Sequence, residues 1–154
     1  MTVSKVAVLA ILVFAILAFC QEQEKKIQRS DLPPAVERTV AVQSQGATIR
    51  GFSEEKENGQ TLYEAEMTVS GHSKDVTIDP TGAIVEVEEQ VAIDSLPAAV
   101  KDGLQAKAGK GKITKVESIT KHDKLVAYEA KVQTEGKKSG VQVGPDGKLL
   151  DHEE

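Results

Sequence analysis

The hydrophobic pattern of the chain changes its period between a helical and an extended segment. Leu32, Val36 and Val40 recur four residues apart, which places their side chains on one face of a helix. From Tyr63 to Val69 the period is two, because apolar residues alternate with Glu64, Glu66 and Thr68. Such alternation is typical of an antiparallel strand with one apolar and one solvated face. The pattern therefore predicts a helix followed by antiparallel strands.

The same order of elements occurs a second time. Leu96, Val100 and Leu104 form a second helical stripe, and a second alternating segment begins at Tyr128. Tyr63 and Tyr128 are 65 positions apart, and residues 62–87 match residues 127–150 at this offset. Upstream, the offset is 64, as between Leu32 and Leu96. A match at a fixed offset indicates an internal duplication, which bears on the architecture of the whole chain.

We therefore expect an α+β fold of two tandem repeats, residues 31–89 and 94–151. Each repeat should contain one helix packed on an antiparallel sheet of about four strands, since a sheet with one apolar face needs a cover. Residues 48–52 and 113–119 are the expected first strands. Residues 83–87 and 148–150 are the expected last strands, each entered through a turn that contains glycine.

The beginnings of both helices carry residues typical of caps. Ser30 and Asp31 precede Pro33, and Asp94 and Ser95 precede Pro97 in the same way. Gly103 lies inside the second predicted helix, where glycine costs up to about 1 kcal/mol relative to alanine. We expect the second helix to be the weaker one.

The N-terminus has the pattern of an export signal. Lys5 precedes an apolar run over residues 6–19, and polar residues follow. The run is shorter than the roughly 20 residues of a membrane-spanning helix. We predict a signal peptide over residues 1–20 with cleavage before Gln21, and a polar tether over residues 21–30. The alternatives are a lipidated Cys20, which would make the protein a lipoprotein, or an uncleaved anchor.

Charge and cysteine content exclude several classes of function. The formal charge of −5 becomes −6 without residues 1–20, because Lys5 is lost. This acidity argues against a nucleic-acid partner. Cys20 is the only cysteine, so the mature chain has neither an internal disulfide nor a thiolate metal site.

No residue pattern predicts catalysis. The three histidines, His72, His122 and His152, are not spaced as metal ligands on one element. Glu64 and Glu129 occupy equivalent positions, which duplication explains without acid–base chemistry. We therefore expect neither an enzyme, nor a metal site, nor a cofactor.

The repeated segments resemble the PepSY family, in its branch related to β-lactamase-inhibitor-like domains. The resemblance rests on Leu-Pro-x-Ala-Val at residues 32–36 and 96–100, on the Tyr-Glu-Ala strands, and on the glycine-containing turns that follow. It covers about residues 31–151. It implies an exported, periplasmic or secreted protein that binds or inhibits other proteins, notably peptidases.

We interpret the chain as a non-catalytic binding module for a protein or peptide in the envelope or outside the cell. The predicted binding residues are Glu64, Glu66, Glu129 and Lys131, on the charged face of the alternating strands. A basic partner is expected at the first pair. The loops at residues 54–59 and 121–124 are the alternative site. The alternative function is that of a structural or stress-related envelope protein.

Overall fold

The computed structural model describes residues 23–57 and 59–150, which form one antiparallel sheet and two helices. The strands are β1 (Gln23–Ile27), β2 (Ala47–Glu57), β3 (Gln60–Val69), β4 (His72–Ile78), β5 (Ile84–Gln90), β6 (Lys112–Lys121), β7 (Lys124–Thr134) and β8 (Lys137–Val143). The helices are α1 (Pro34–Gln43) and α2 (Ala98–Ala108). The predicted signal peptide, Cys20 and His152 lie outside the described residues.

All eight strands belong to a single sheet, in which each strand pairs with its neighbour in sequence. The two halves of the chain join where β5 pairs with β6, from Glu86 opposite Lys121 to Gln90 opposite Glu117. The expectation of an α+β fold of two tandem repeats, each with a helix on its own sheet of about four strands, is therefore wrong. Pairing β5 with β6 satisfies the backbone groups that two separate sheets would leave at open edges.

The strands are also divided unequally between the halves, five before α2 and three after it. Residues 23–27, which we expected to be part of a tether, form β1 and pair with β2. The last predicted strand, residues 148–150, contains only an isolated bridge between Val143 and Leu149. Leu149 is 65% exposed, so little apolar burial is available to extend that pairing.

Both helices pack on the same face of the sheet. Phe52, Ala65, Val76 and Val87 are successive partners across β2–β5, and the row continues to Thr120 of β6. Thr120 shares a strand face with Val116. Because the first row packs with α1 and Val116 packs with α2, the helices share a side. The residues of the two predicted stripes are all buried, but Leu32 and Leu96 lie just before α1 and α2 and not inside them.

The helices do not begin with the predicted side-chain caps. A 3-10 turn covers Arg29–Asp31 and another covers Ile93–Ser95, and Pro33 and Pro97 are the N-cap residues. Asp31 accepts a hydrogen bond from the N–H of Gln28 instead, at 2.9 Å. Proline supplies no side-chain acceptor, so the cap residues identified from sequence stabilise the preceding turns.

Gly103 has a packing role that helix propensity does not show. A Cβ at Gly103 would overlap the backbone carbonyl of Gly147, in the turn that follows β8. A Cβ at Gly147 would in turn overlap the carbonyl of Ala99. Glycine therefore allows the turn to lie directly against α2. At the corresponding turn of the first half, a Cβ at Gly82 would be 2.8 Å from the carbonyl oxygen of Ala35 on α1.

Each tyrosine packs against one of the two hydrophobic cores. Tyr63 and Tyr128 point to the helix side and pack against the buried clusters, but both are only partly buried. Neither of the two α-helices is long enough for a bilayer, so the part of the chain that the structure describes contains no candidate membrane-spanning helix.

Candidate protein-binding face

The sheet side opposite the helices carries most of the strand charges, and we name it the polar face. Residues paired across an antiparallel sheet point to the same side, so the register identifies its rows. One row runs through Glu66, Asp75, Glu88 and Ile119, and an adjacent row through Ser53, Glu64, Thr77, Glu86 and Lys121. Since α1 and α2 both lie on the other side, neither helix covers this face.

The structure places all four predicted binding residues on the polar face, but in two separate pairs. Glu64 and Glu66 lie on β3, whereas Glu129 and Lys131 lie on β7. Four strand spacings separate β3 from β7, which corresponds to about 19 Å. The expectation that these carboxylates are freely exposed is wrong. The side chain of Glu129 is 12% exposed and that of Glu66 is 23% exposed, because charged neighbours on adjacent strands surround them.

Glu64 illustrates the effect of this partial burial. Burial raises the pKa of the Glu64 carboxyl to about 7, and the nearby charges of Glu55, Asp75 and Glu66 act in the same direction. A hydrogen bond from the hydroxyl of Ser53, at 3.0 Å, opposes the rise. Ser53 itself is fully buried. Glu64 therefore changes its charge close to neutral pH.

Three carboxylates meet at the centre of the polar face. Asp75, Glu88 and Glu117 lie on adjacent strands, and each offers an oxygen within 4.8 Å of the others. Burial raises the pKa of Glu88 to about 8, together with the charges of Glu117, Glu86 and Glu129. Burial also raises the pKa of Asp75, although the charge of Arg50 opposes it. At neutral pH this cluster therefore holds a proton.

Cations on the same face neutralise the remaining charge of the cluster. Glu117 is 1% exposed. Its carboxylate pairs with the Lys115 ammonium at 2.6 Å and accepts a hydrogen bond from the Ser73 hydroxyl at 3.2 Å. Arg50 pairs with Asp75 at 2.6 Å. The carboxylates could ligate a hard cation by their chemistry, but these protein cations already compensate them.

A second carboxylate cluster lies towards the β1 edge. Glu24, Glu64 and Glu66 bring their oxygens within 4.8 Å of one another. The Lys26 ammonium donates to Glu66, which lowers the pKa of the Glu66 carboxyl, and it also pairs with Glu24. On the same face, towards the β8 edge, Lys131 pairs with Glu129 at 2.7 Å. Burial acts to lower the pKa of Lys131, but its carboxylate neighbours raise it on balance.

The charges of the polar face are segregated along the strand order. We name the polar face of β1–β5 the acidic half and that of β6–β8 the basic half. The acidic half carries Glu24, Lys26, Arg50, Glu55, Glu64, Glu66, Asp75, Glu86 and Glu88. The basic half carries Lys112, Lys115, Glu117, Lys121, Glu129, Lys131 and Lys138. Carboxylates therefore outnumber cations in the acidic half, and lysines outnumber carboxylates in the basic half.

Sequence reasoning missed the centre of this face. The expected strand over residues 83–87 ends just before Glu88, and the expected strand over residues 113–119 does not distinguish Glu117 from its neighbours. The available signal was alternation, since Val87 and Val116 are apolar neighbours that point to the helix side. That alternation placed Glu88 and Glu117 on the polar face, but it did not show that β5 and β6 would be adjacent.

A recess at one end of the sheet contains one residue of the alternative loop site, His122, whereas none of the described residues of the loop at 54–59 lines it. The recess has a volume of about 610 Å³ and is lined by Gln60, Thr61, Leu62, Asp79, Pro80, Thr81, Val85 and His122. It joins the ends of the β2–β3 and β6–β7 hairpins. His72 begins β4, and neither described carboxylate cluster contains a histidine.

Solved structures with the same fold come from Bacteroides. A Bacteroides eggerthii protein described provisionally as periplasmic matches with a TM-score of 0.62 and 19% identity, over 77% of this chain and 86% of that one. A DUF2874 family protein of Bacteroides uniformis matches with a TM-score of 0.59 and 18% identity, over 77% and 86%.

A third similar structure bears on the predicted resemblance. A BLIP-like protein of Bacteroides fragilis matches with a TM-score of 0.54 and 21% identity, over 75% of this chain and 81% of that one. No family model and no curated protein matches the chain. At these identities the likeness establishes the fold. It agrees with the β-lactamase-inhibitor-like part of the resemblance, whereas membership of the PepSY family stays a prediction.

Proposed function

We propose that the protein is an exported, non-catalytic module that binds another protein through the polar face. The observation that carries this proposal is the composition of that face. It is the side of an eight-stranded sheet that neither helix covers, and its side chains are paired and partly buried. Such a surface is held in place before a partner arrives, which lowers the entropy cost of association.

The described residues favour binding over catalysis. Four carboxylates of the polar face are each paired with a protein cation, namely Glu66 with Lys26, Asp75 with Arg50, Glu117 with Lys115 and Glu129 with Lys131. A catalytic carboxylate requires a substrate within hydrogen-bond reach and a pocket that excludes water. The face instead presents a broad charged surface, which suits recognition of a complementary protein surface.

The comparisons support a binding role only through the fold that this chain shares with the BLIP-like structure. The BLIP-like structure shares the architecture of this chain. We infer a protein partner in the periplasm or outside the cell from the predicted signal peptide, the PepSY-like motifs and the periplasmic description of the Bacteroides eggerthii protein. A peptidase or another enzyme is one class of partner that this inference includes.

Site-specific photo-crosslinking tests the proposal. A photoreactive residue is placed at Gln133, which is exposed on the polar face, and in a separate variant at Val42, which is 62% exposed on α1. The full chain is exported by its host and irradiated in the intact envelope. We expect a discrete crosslinked partner from Gln133 and none from Val42.

Two results would contradict the proposal. One is a partner captured at Val42 but not at Gln133, which would move the interface to the helix side. The other is no partner at either position, which would favour the structural envelope role. Mass spectrometry of the adduct identifies the partner, and turnover assays of that partner show whether binding inhibits it.

A further inference from the structure

We propose that the partner binds through a dipolar segment, with a cationic group over the acidic half and an anionic group about 19 Å away over the basic half. This inference rests on the proposed function and names the chemistry of the partner. It depends on three features of the polar face, namely its acidic half, its basic half and the distance between them.

The carboxylates of the acidic half outnumber its cations. Lys26 is shared between Glu24 and Glu66, and Arg50 is shared between Glu66 and Asp75. Glu64 accepts a hydrogen bond only from a neutral group in this part of the face, the Ser53 hydroxyl. A lysine or arginine side chain of a partner would find carboxylate oxygens here within one cluster.

The basic half has lysines in excess of its carboxylates. Lys115 and Lys131 are paired with Glu117 and Glu129. Lys112 and Lys138 lie on the same face, both opposite Gln133, and both are exposed. These two ammonium groups are placed where a partner carboxylate can reach them.

The basic half also contains space for an acidic side chain. A recess of about 470 Å³ is lined by Thr114, Lys115, Lys131, Val132, Lys138, Ser139 and Gly140. A Cβ at Gly140 would overlap the carboxylate of Glu129, so glycine lets Glu129 lie against β8 at this point. The recess therefore takes its lysine donors from Lys115, Lys131 and Lys138.

The distance between the halves sets the geometry of the partner. β3 and β7 are separated by four strand spacings, or about 19 Å. Opposite charges at that distance are largely screened from each other in physiological salt, where the Debye length is about 8 Å. Each half therefore acts on the nearest part of a partner, so a segment with one charge sign gains from only one half.

Short peptides test the inference without the natural partner. The probes are tetralysine, tetraglutamate, and a tethered peptide that joins the two blocks through about twelve Gly/Ser residues, whose root-mean-square span is about 19 Å. A peptide of the same composition with lysine and glutamate alternating is the control. Binding is measured on the ¹⁵N-labelled full chain by NMR chemical-shift changes at low salt.

We expect tetralysine to shift amides of β2–β4 and tetraglutamate to shift amides of β6–β8. The tethered peptide should shift both sets and bind at least about tenfold more tightly than either block, because the second contact becomes intramolecular. The alternating peptide should lack this gain. The variant Lys112→Gln with Lys138→Gln should remove the gain and leave tetralysine binding unchanged.

Several results would overturn the inference. They are overlapping shifts from the two blocks, a tethered peptide no tighter than tetralysine, and a gain that survives the lysine substitutions. Polar-face shifts that depend on protein concentration alone would make a second copy of the chain the occupant, which also contradicts the proposal. A partner crosslinked at Gln133 together with any of these peptide results would leave the proposed function standing and remove only the dipolar partner.

Discussion

Replacing Glu88 with glutamine should stabilise the fold at alkaline pH and change little at acidic pH. Glutamine keeps the size of the side chain and cannot ionise. In the folded protein the pKa of Glu88 is raised to about 8 from an ordinary value of 4.5, mainly by burial and then by Glu117, Glu86 and Glu129. The unfolded chain lacks this environment, so unfolding releases the group to its ordinary pKa.

The sign of the pH effect follows from proton binding. Between the ordinary value and about pH 8 the folded state binds more protons at Glu88 than the unfolded state does, so the free energy of unfolding decreases as pH rises. One pKa unit corresponds to about 1.4 kcal/mol. Because the carboxyl is only partly buried, solvent screening reduces the total to about 2 kcal/mol. The loss should occur mainly between about pH 5 and pH 8.

Urea unfolding of the wild type and of Glu88→Gln, at unit steps from pH 5 to pH 9, measures this difference. Glu89→Gln is the matched control, since Glu89 is the exposed next residue and points to the helix side. We expect the free energy of unfolding to depend less on pH for Glu88→Gln than for the wild type and Glu89→Gln. Parallel curves for all three proteins would show that Glu88 is ionised without cost, and the description of the central cluster would then be wrong.

Three further substitutions test the packing and pairing described above. Gly103→Ala should lower the free energy of unfolding by about 1–3 kcal/mol, because the new Cβ overlaps Gly147. Helix propensity alone predicts the opposite, a gain of up to about 1 kcal/mol. A thermal melt beside Asp102→Ala distinguishes the two outcomes. Leu104→Ala should cost about 2–5 kcal/mol in urea unfolding, because Leu104 is fully buried; an unchanged midpoint would place α2 elsewhere. Lys115→Met should cost about 3–5 kcal/mol because it leaves Glu117 buried without its cation. Adding Glu117→Gln should restore part of that loss. No restoration in the same assay would mean that Lys115 acts by packing.

The local elements could be predicted because each depends on residues close in sequence. The spacing of Leu32, Val36 and Val40 is sufficient to identify the buried face of α1, since a helix repeats every 3.6 residues. The alternation around Tyr63 likewise identifies the two sides of β3. These patterns also placed Glu64, Glu66, Glu129 and Lys131 on the polar side.

The arrangement of the whole sheet could not be predicted, because it depends on pairing between distant residues. Nothing near Glu86 indicates that Lys121 lies opposite it, and the internal duplication favoured two separate units. The segment at Gln23–Ile27 is polar, and it becomes a strand because the edge of β2 accepts it. The pKa values of Glu64 and Glu88 depend on that same long-range pairing, so the partial burial of the polar face was not foreseen.

The central claim is that a partner binds to the polar face. The prediction that this partner is basic where it contacts Glu64 and Glu66 leads to the most direct measurement of that claim. With the crosslinked partner purified, its affinity for the full chain is measured at low and moderate salt, for the wild type and for Glu64→Lys with Glu66→Lys. We expect the double charge reversal to weaken binding and to reduce its salt dependence, because the screened attraction at the acidic half is removed. A circular dichroism melt confirms that the variant is folded. Unchanged affinity and salt dependence in a folded variant would contradict the polar face as the site and favour the loops at residues 54–59 and 121–124.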